Sequence, residues 1–156
     1  MTRTLSMWTA LVAILVGTAG ASAQGVGTDS PDPVVVAQRC VAQFEQVRDR
    51  TVDGVAAATR GATGRIARLD ADGAPDRVII AVGNTGVDRV QAIGRAGSAR
   101  IARGSDHCTR LLRRLGADRA LIVRVQGAAD GFQEDIRNAV RRGTAAIRQA
   151  VADAIG

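Results

Sequence analysis

The sequence predicts an all-α fold. It is an antiparallel three-helix bundle, or coiled-coil-like rod, of long helices with an eleven-residue apolar repeat, following a cleaved signal peptide. Three observations predict it. The first is a stripe of apolar or small residues: Cys40, Phe44, Val47, Thr51, Val55, Ala58, Ala62, Ile66 and Leu69. Their steps of 4, 3, 4, 4, 3, 4, 4 and 3 amount to eleven residues in three turns, which holds the stripe on one side of a nearly straight helix.

The second observation is a mirror relation. Residues facing each other across an antiparallel hairpin have position numbers of constant sum. A sum of 148 sets Phe44 against Gly104, Val47 against Ile101, Thr51 against Gly97, Val55 against Ile93, Ala58 against Val90, Ala62 against Gly86, Ile66 against Val82 and Leu69 against Ile79. The largest side chain, Phe44, thus meets a Gly, which is how facing layers interdigitate. The third observation is that Cys40 and Cys108 fall in the same register. An even pair in an exported chain reads as one disulfide.

Taken in order, the chain opens with a segment to be set aside. Arg3 is the only charged side chain before Asp29, the apolar run 11–16 is short, and Ala21-Ser22-Ala23 matches a small-residue cleavage site. These features predict a signal peptide over 1–23 and Gln24 as the first mature residue. Gly17, Thr18, Gly20 and Ser22 interrupt the roughly 20 apolar residues that an uncleaved anchor needs. No later segment is apolar enough to span a bilayer. The expected localisation is therefore periplasmic, cell-envelope or extracellular.

Residues 24–31 are rich in Gly, Ser, Asp and Pro and read as a flexible mature N-terminus. A single helical domain fills 32–156. Asp32 followed by Pro33 is a helix start, an N-cap with proline at the first helical position. Helix 1 runs over 32–70 and breaks at Gly73 and Pro75. Asp76 is the candidate cap of helix 2 (76–115), which ends before Gly116. Asp118 caps helix 3 (118–155). Helices 2 and 3 pass the mirror test at a sum of 233, which pairs Ile101 with Phe132, Gly97 with Ile136, Ile93 with Val140, Val90 with Gly143 and Gly86 with Ile147. The three starts, each Asp before a Val/Ile/Leu run, lie 44 and 42 residues apart (Asp32, Asp76, Asp118) and suggest a weak repeat of one helix and one turn.

Interior glycines work against this reading, since each costs about 0.8–1 kcal/mol relative to Ala in a helix. Bends or breaks are expected near 83–86 and 127–131. The tracts 77–82 and 119–125 also fit buried strands followed by glycine loops, a rival α/β fold, because short apolar runs are not assigned by periodicity alone.

Composition narrows function. The chain has no Tyr and no Lys, and Phe44 and Phe132 are the only aromatics after the signal. A core of Ala, Gly, Val and Ile suits thin helices at close approach. The sequence 83–86 lacks the Walker lysine and the dinucleotide-binding spacing, so it makes a poor phosphate loop. Asp106, His107 and Cys108 are neighbours on a helix, about 100° apart, and do not form a constellation. With one His, neither a catalytic triad nor a zinc site has a ligand set. Glu134 and Asp135 are adjacent rather than facing. No catalytic residue, metal or cofactor is assigned.

The Arg excess is the feature that binds something, if anything does. The segment 95–114 carries Arg95, Arg100, Arg103, Arg110, Arg113 and Arg114 against Asp106 alone, and acids on the antiparallel partners are expected to neutralise part of it. Arg137, Arg141, Arg142 and Arg148 are less compensated and are the candidate anion site. No aromatics interleave with the arginines, so nucleic acid is disfavoured.

The leading expectation is an exported non-enzymatic helical protein that works by protein–protein contact or as an envelope component. Its partner is an unknown protein or a second copy, because Val35, Val41 and Val52 lack an obvious place in the bundle. The alternative is an Arg-based module for anionic polymers or lipid headgroups.

Overall fold

The computed structural model describes residues 31–156. The expected signal peptide and residues 24–30 lie outside the described residues. Three helices, α1 (Pro33–Ala71), α2 (Asp76–Arg114) and α3 (Arg119–Ile155), pack against one another, each touching both others. At 1.5 Å per residue, the 39 residues of α1 or α2 make a rod of about 58 Å.

The helix boundaries follow from side-chain chemistry. The Asp32 carboxylate accepts from the Val34 N–H at 2.8 Å, with Pro33 opening the helix. The Asp118 carboxylate accepts from the Leu121 N–H at 2.6 Å. The start of α2 corrects the expectation: Pro75, not Asp76, occupies the cap, and no side chain caps that end. Instead Asp76 lies in the first turn, where its charge opposes the positive end of the helix dipole.

Both turns close in the same way. Gly73 (φ 67°) and Gly116 (φ 71°) adopt the left-handed conformation that terminates a helix. Ala74 N–H donates to Leu69 O at 2.9 Å and Ala117 N–H to Leu112 O at 3.0 Å, which satisfies carbonyls that the helix leaves free.

Among the described residues there is no strand, so the rival fold is excluded: 77–82 belongs to α2 and 119–125 to α3. The expected breaks are absent too, because helical hydrogen bonding continues through 83–86 and 127–131. At the first place packing compensates for the glycines. Gly86 lies against Ala62 and Ile147, and Gly83 against Val151. The second place has no such support, since a Cβ at Gly127 or Gly131 would meet nothing within 4 Å. Gly127→Ala and Gly131→Ala are therefore each expected to stabilise the fold by about 1 kcal/mol. Chemical denaturation of the single and double variants checks this, and the two gains should add.

The helix registers are read from individual contacts. Between α1 and α2, Cys40 is bonded to Cys108, the Phe44 ring lies on Gly104, Thr51 on Gly97 and Ala62 on Gly86. Each of these pairs sums to 148. Between α2 and α3, Gly86 with Ile147 and Val90 with Gly143 sum to 233, whereas Gly83 with Val151 and Gly94 with Val140 are displaced by one.

The remaining pair of helices, α1 and α3, runs parallel. Gly143 lies against Thr59, and the Arg48 guanidinium sits 5.2 Å from the Phe132 ring centre. Both contacts have an offset of 84.

The core has two halves. One contains Phe44, Ile101, Leu112, Val125 and Ile136 around the disulfide. The other contains Val55, Ile66, Ile79, Val90 and Ile147. Val52 and Val140 pack against both. Val41 and Val52, expected to lack partners, are half-buried against this core, while Val35 is 41% exposed.

Candidate functional site

Among the described residues, a groove of about 880 Å³ lies on the outer face of α1 and α2, in the half of the rod away from the disulfide. Its existence follows from side-chain size. The small residues along it are Gly54, Ala57, Ala58 and Gly61 on α1 and Ala81, Thr85 and Gly86 on α2, of which Ala58 and Gly86 belong to the core stripes. Small residues at spacings of three and four stack along one helix face, so the surface between the helices is low for several turns. Val78, Val82 and Ile93 supply apolar walls, and Val78 is 38% exposed.

Three arginines, Arg65, Arg77 and Arg89, line this groove, and among the described residues no carboxylate does. Arg77 and Arg89 lie on α2 twelve residues apart, about 18 Å along the axis. In the α1–α2 register Arg65 faces position 83, midway between them. The cations thus recur at about 9 Å along the groove, alternating between its two rims.

The anion site expected on α3 has a different character. Arg137, Arg141 and Arg148 follow the helical spacing of one exposed face, and Arg142 is turned away from them by about 100°. Glu134 occupies the same face. It pairs with Arg137 at 2.7 Å and with Arg141 at 3.0 Å, and Arg141 also donates to Asn138. Two of the four arginines therefore already share a carboxylate. The hydrogen bond from Arg137, reinforced by the charges of Arg137 and Arg141, holds the Glu134 carboxyl below its ordinary value of 4.5.

A depressed carboxylate pKa stabilises the folded state above the unfolded value, and that stability is lost as pH falls through the folded value. A Glu134 side-chain NMR titration should thus show a midpoint below 4.5 that rises towards it in Arg137→Gln.

The other sequence candidates are placed as follows. Cys40 and Cys108 are joined, with Cα atoms 6.3 Å apart, and both are buried. Asp106 and His107 are exposed on the flank of α2. Among the described residues no group of three His, Cys, Asp or Glu side chains is arranged to hold a metal, and no helix is long and apolar enough to cross a membrane. The expected neutralisation of α2 by acids of its neighbours is not observed. Among the described residues every ion pair lies within one helix: Arg48 with Glu45 and Asp49, and Arg137 and Arg141 with Glu134. Most acids and arginines are exposed on the outside of the rod, so their partners are near neighbours on the same helix.

Sequence reasoning missed the groove. The signal for it was present in Gly54, Ala57 and Gly61, small residues next to the small core positions Ala58 and Ala62. Comparison with protein-family models, with curated proteins and with solved structures finds no match.

Proposed function

We propose that this is an exported, non-enzymatic helical protein that acts by contact with another protein. The observation that carries the reading is the α1–α2 groove: apolar walls and a floor of small residues, left uncovered on a three-helix rod. Surfaces of this kind let a further helix approach closely. A joined cysteine pair accords with an oxidising compartment.

The eleven-residue repeat supports the same picture. Buried positions recur at that interval on α1 (Cys40, Thr51, Ala62), on α2 (Ile79, Val90, Ile101, Leu112) and on α3 (Val125, Ile136, Ile147). The helices thus present one face inward along their whole length and leave the outer faces to partners. The α3 arginines are the weaker candidate, because Glu134 already engages Arg137 and Arg141.

Photo-crosslinking in the producing cell from a benzoylphenylalanine at Ala81, within the groove, tests this reading. A discrete protein adduct is expected from Ala81 and none from exposed Arg113, which lies outside it. No adduct from Ala81, or the same adducts from both positions, contradicts it. N-terminal sequencing of the exported protein should begin at Gln24.

A further inference from the structure

We infer that the α1–α2 groove seats one amphipathic helix of an acidic partner protein. The apolar stripe of that helix lies on the small-residue floor, and its carboxylates meet Arg65, Arg77 and Arg89. The inference rests on the protein-contact reading above and names the partner's chemistry.

Charge chooses among the occupants. Among the described residues the groove has three cations and no carboxylate, and none of the three arginines takes part in an ion pair there. Their placement then separates classes of anion. An anionic amphiphile has one headgroup and engages one end of a groove. Here the α2 cations Arg77 and Arg89 stand about 18 Å apart with Arg65 midway on the α1 rim, close to the roughly 16.5 Å by which a helix advances in eleven residues, three full turns. Acids flanking an apolar stripe on a helix recur at that interval, on both sides of the stripe.

Length agrees. The α1 lining from Gly54 to Arg65 covers about 17 Å and the α2 lining from Arg77 to Ile93 about 24 Å, which corresponds to 11–16 helical residues. A second copy docked through the same face would bring the same three arginines against these. The chain's own N-terminal stretch fits no better, because Arg3 is its only charge before Asp29.

Burial of an apolar stripe supplies affinity in such a complex, and the flanking charges set which helix is accepted. All three arginines are exposed, so reversing them leaves the fold intact.

The test uses the purified protein with its disulfide closed and two synthetic amphipathic helices of roughly 18 residues. One carries Leu and Ala on one face with Glu along both edges; the other has Lys in place of Glu. Fluorescence anisotropy at low salt is expected to show the Glu helix binding about tenfold tighter or more. Arg65→Glu/Arg77→Glu/Arg89→Glu should reverse that preference while circular dichroism and Tm stay unchanged. Gly61→Phe, which fills the floor, should abolish binding of the Glu helix.

An absent preference, a preference that survives the triple reversal, or binding unaffected by Gly61→Phe would overturn the inference. Binding to phosphatidylglycerol vesicles in preference to the Glu helix would also overturn it and make the groove a lipid site. A cellular adduct from Ala81 that maps to a neutral or basic segment would defeat the inference alone, whereas no adduct at all defeats the protein-contact reading beneath it.

Discussion

Replacing both cysteines (Cys40→Ala with Cys108→Ala) is expected to lower the free energy of unfolding by about 4 kcal/mol. The bond joins positions separated by 68 residues, and so closes a loop made of most of α1, the first turn and most of α2. In the chain-entropy model a cross-link of that span removes many conformations from the unfolded chain. The logarithmic dependence on loop length puts the effect near 4 kcal/mol.

A second contribution comes from the folded state. Cys40 and Cys108 are buried beside Phe44 and Leu112, so the alanines leave sulfur-sized gaps in that half of the core. Single domains are typically stable by only about 5–15 kcal/mol, which makes this a large fraction of the whole. Denaturant titrations of the wild type, of the wild type with reductant and of the double alanine variant measure it. The two cysteine-free or reduced forms should agree to within about 1 kcal/mol, the difference reporting the lost sulfur packing. A loss under about 1 kcal/mol in both would show that packing alone holds α1 and α2 in place.

The second large effect is expected at the waist between the two halves of the core. Gly97→Val should destabilise the protein by about 2–3 kcal/mol, although the same change on an exposed helix surface would be favourable. A Cβ at Gly97 would sit 2.9 Å from the Thr51 Cβ, 2.5 Å from its Cγ2 and closer still to its Oγ1.

Rotating Thr51 brings no relief, since all three of its side-chain atoms crowd the same point. Its hydroxyl is also committed, donating to Val47 O at 2.7 Å, and the residue is buried. The helices must therefore move apart, and in a rod that loosens the layers above and below. Gly97→Ala should show a smaller loss, as one methyl clashes less and helix propensity returns up to about 1 kcal/mol. A Thr51→Ala/Gly97→Ala pair, which removes the Thr51 Cγ2 and Oγ1 from the contact, should recover part of it. Thermal midpoints for the four proteins form a double-mutant cycle, and strict additivity would contradict a direct contact.

These glycine effects show what the sequence discloses and what it hides. The α1–α2 register was legible because it rests on residue size alone: Phe44, Thr51 and Ala62 each face a glycine, and the cysteines fall level with each other. The caps at Asp32 and Asp118 were legible because each is a short-range hydrogen bond between neighbouring residues.

The unbroken passage of α2 through Gly83 and Gly86 was not. Local propensity disfavours it, and although Gly86 already faced Ile147 in the mirror register, the Val151 contact that supports Gly83 lies one position off that register. The start of α2 misled for a related reason: an Asp after Pro looks like a cap, but the proline takes that position and Asp76 acts through its charge.

Parallel contacts between α1 and α3 went unread because mirror sums find only antiparallel pairs. A constant difference, shared by Arg48 with Phe132 and Thr59 with Gly143, is the corresponding sign. The Arg candidates on α3 were chosen from net charge along the sequence, which does not reveal that Glu134 reaches two of them. The groove was not legible because it depends on Gly54, Ala57 and Gly61 of α1 lying opposite Ala81 and Thr85 of α2, and small outer residues carry no periodic signal of their own.

The central claim is that glycines opposite bulky residues fix how α1 and α2 slide against each other. With Phe44 and Phe132 the only phenylalanines and no tyrosine in the chain, ring proton signals are few and assignable. The measurement is a nuclear Overhauser spectrum of the isotopically labelled protein, read from the Phe44 ring. Strong cross-peaks to the Hα protons of Gly104 are expected, since a Cβ there would lie 2.8 Å from the ring. Cross-peaks to Gly97 in place of Gly104, or to no glycine of α2, would contradict it.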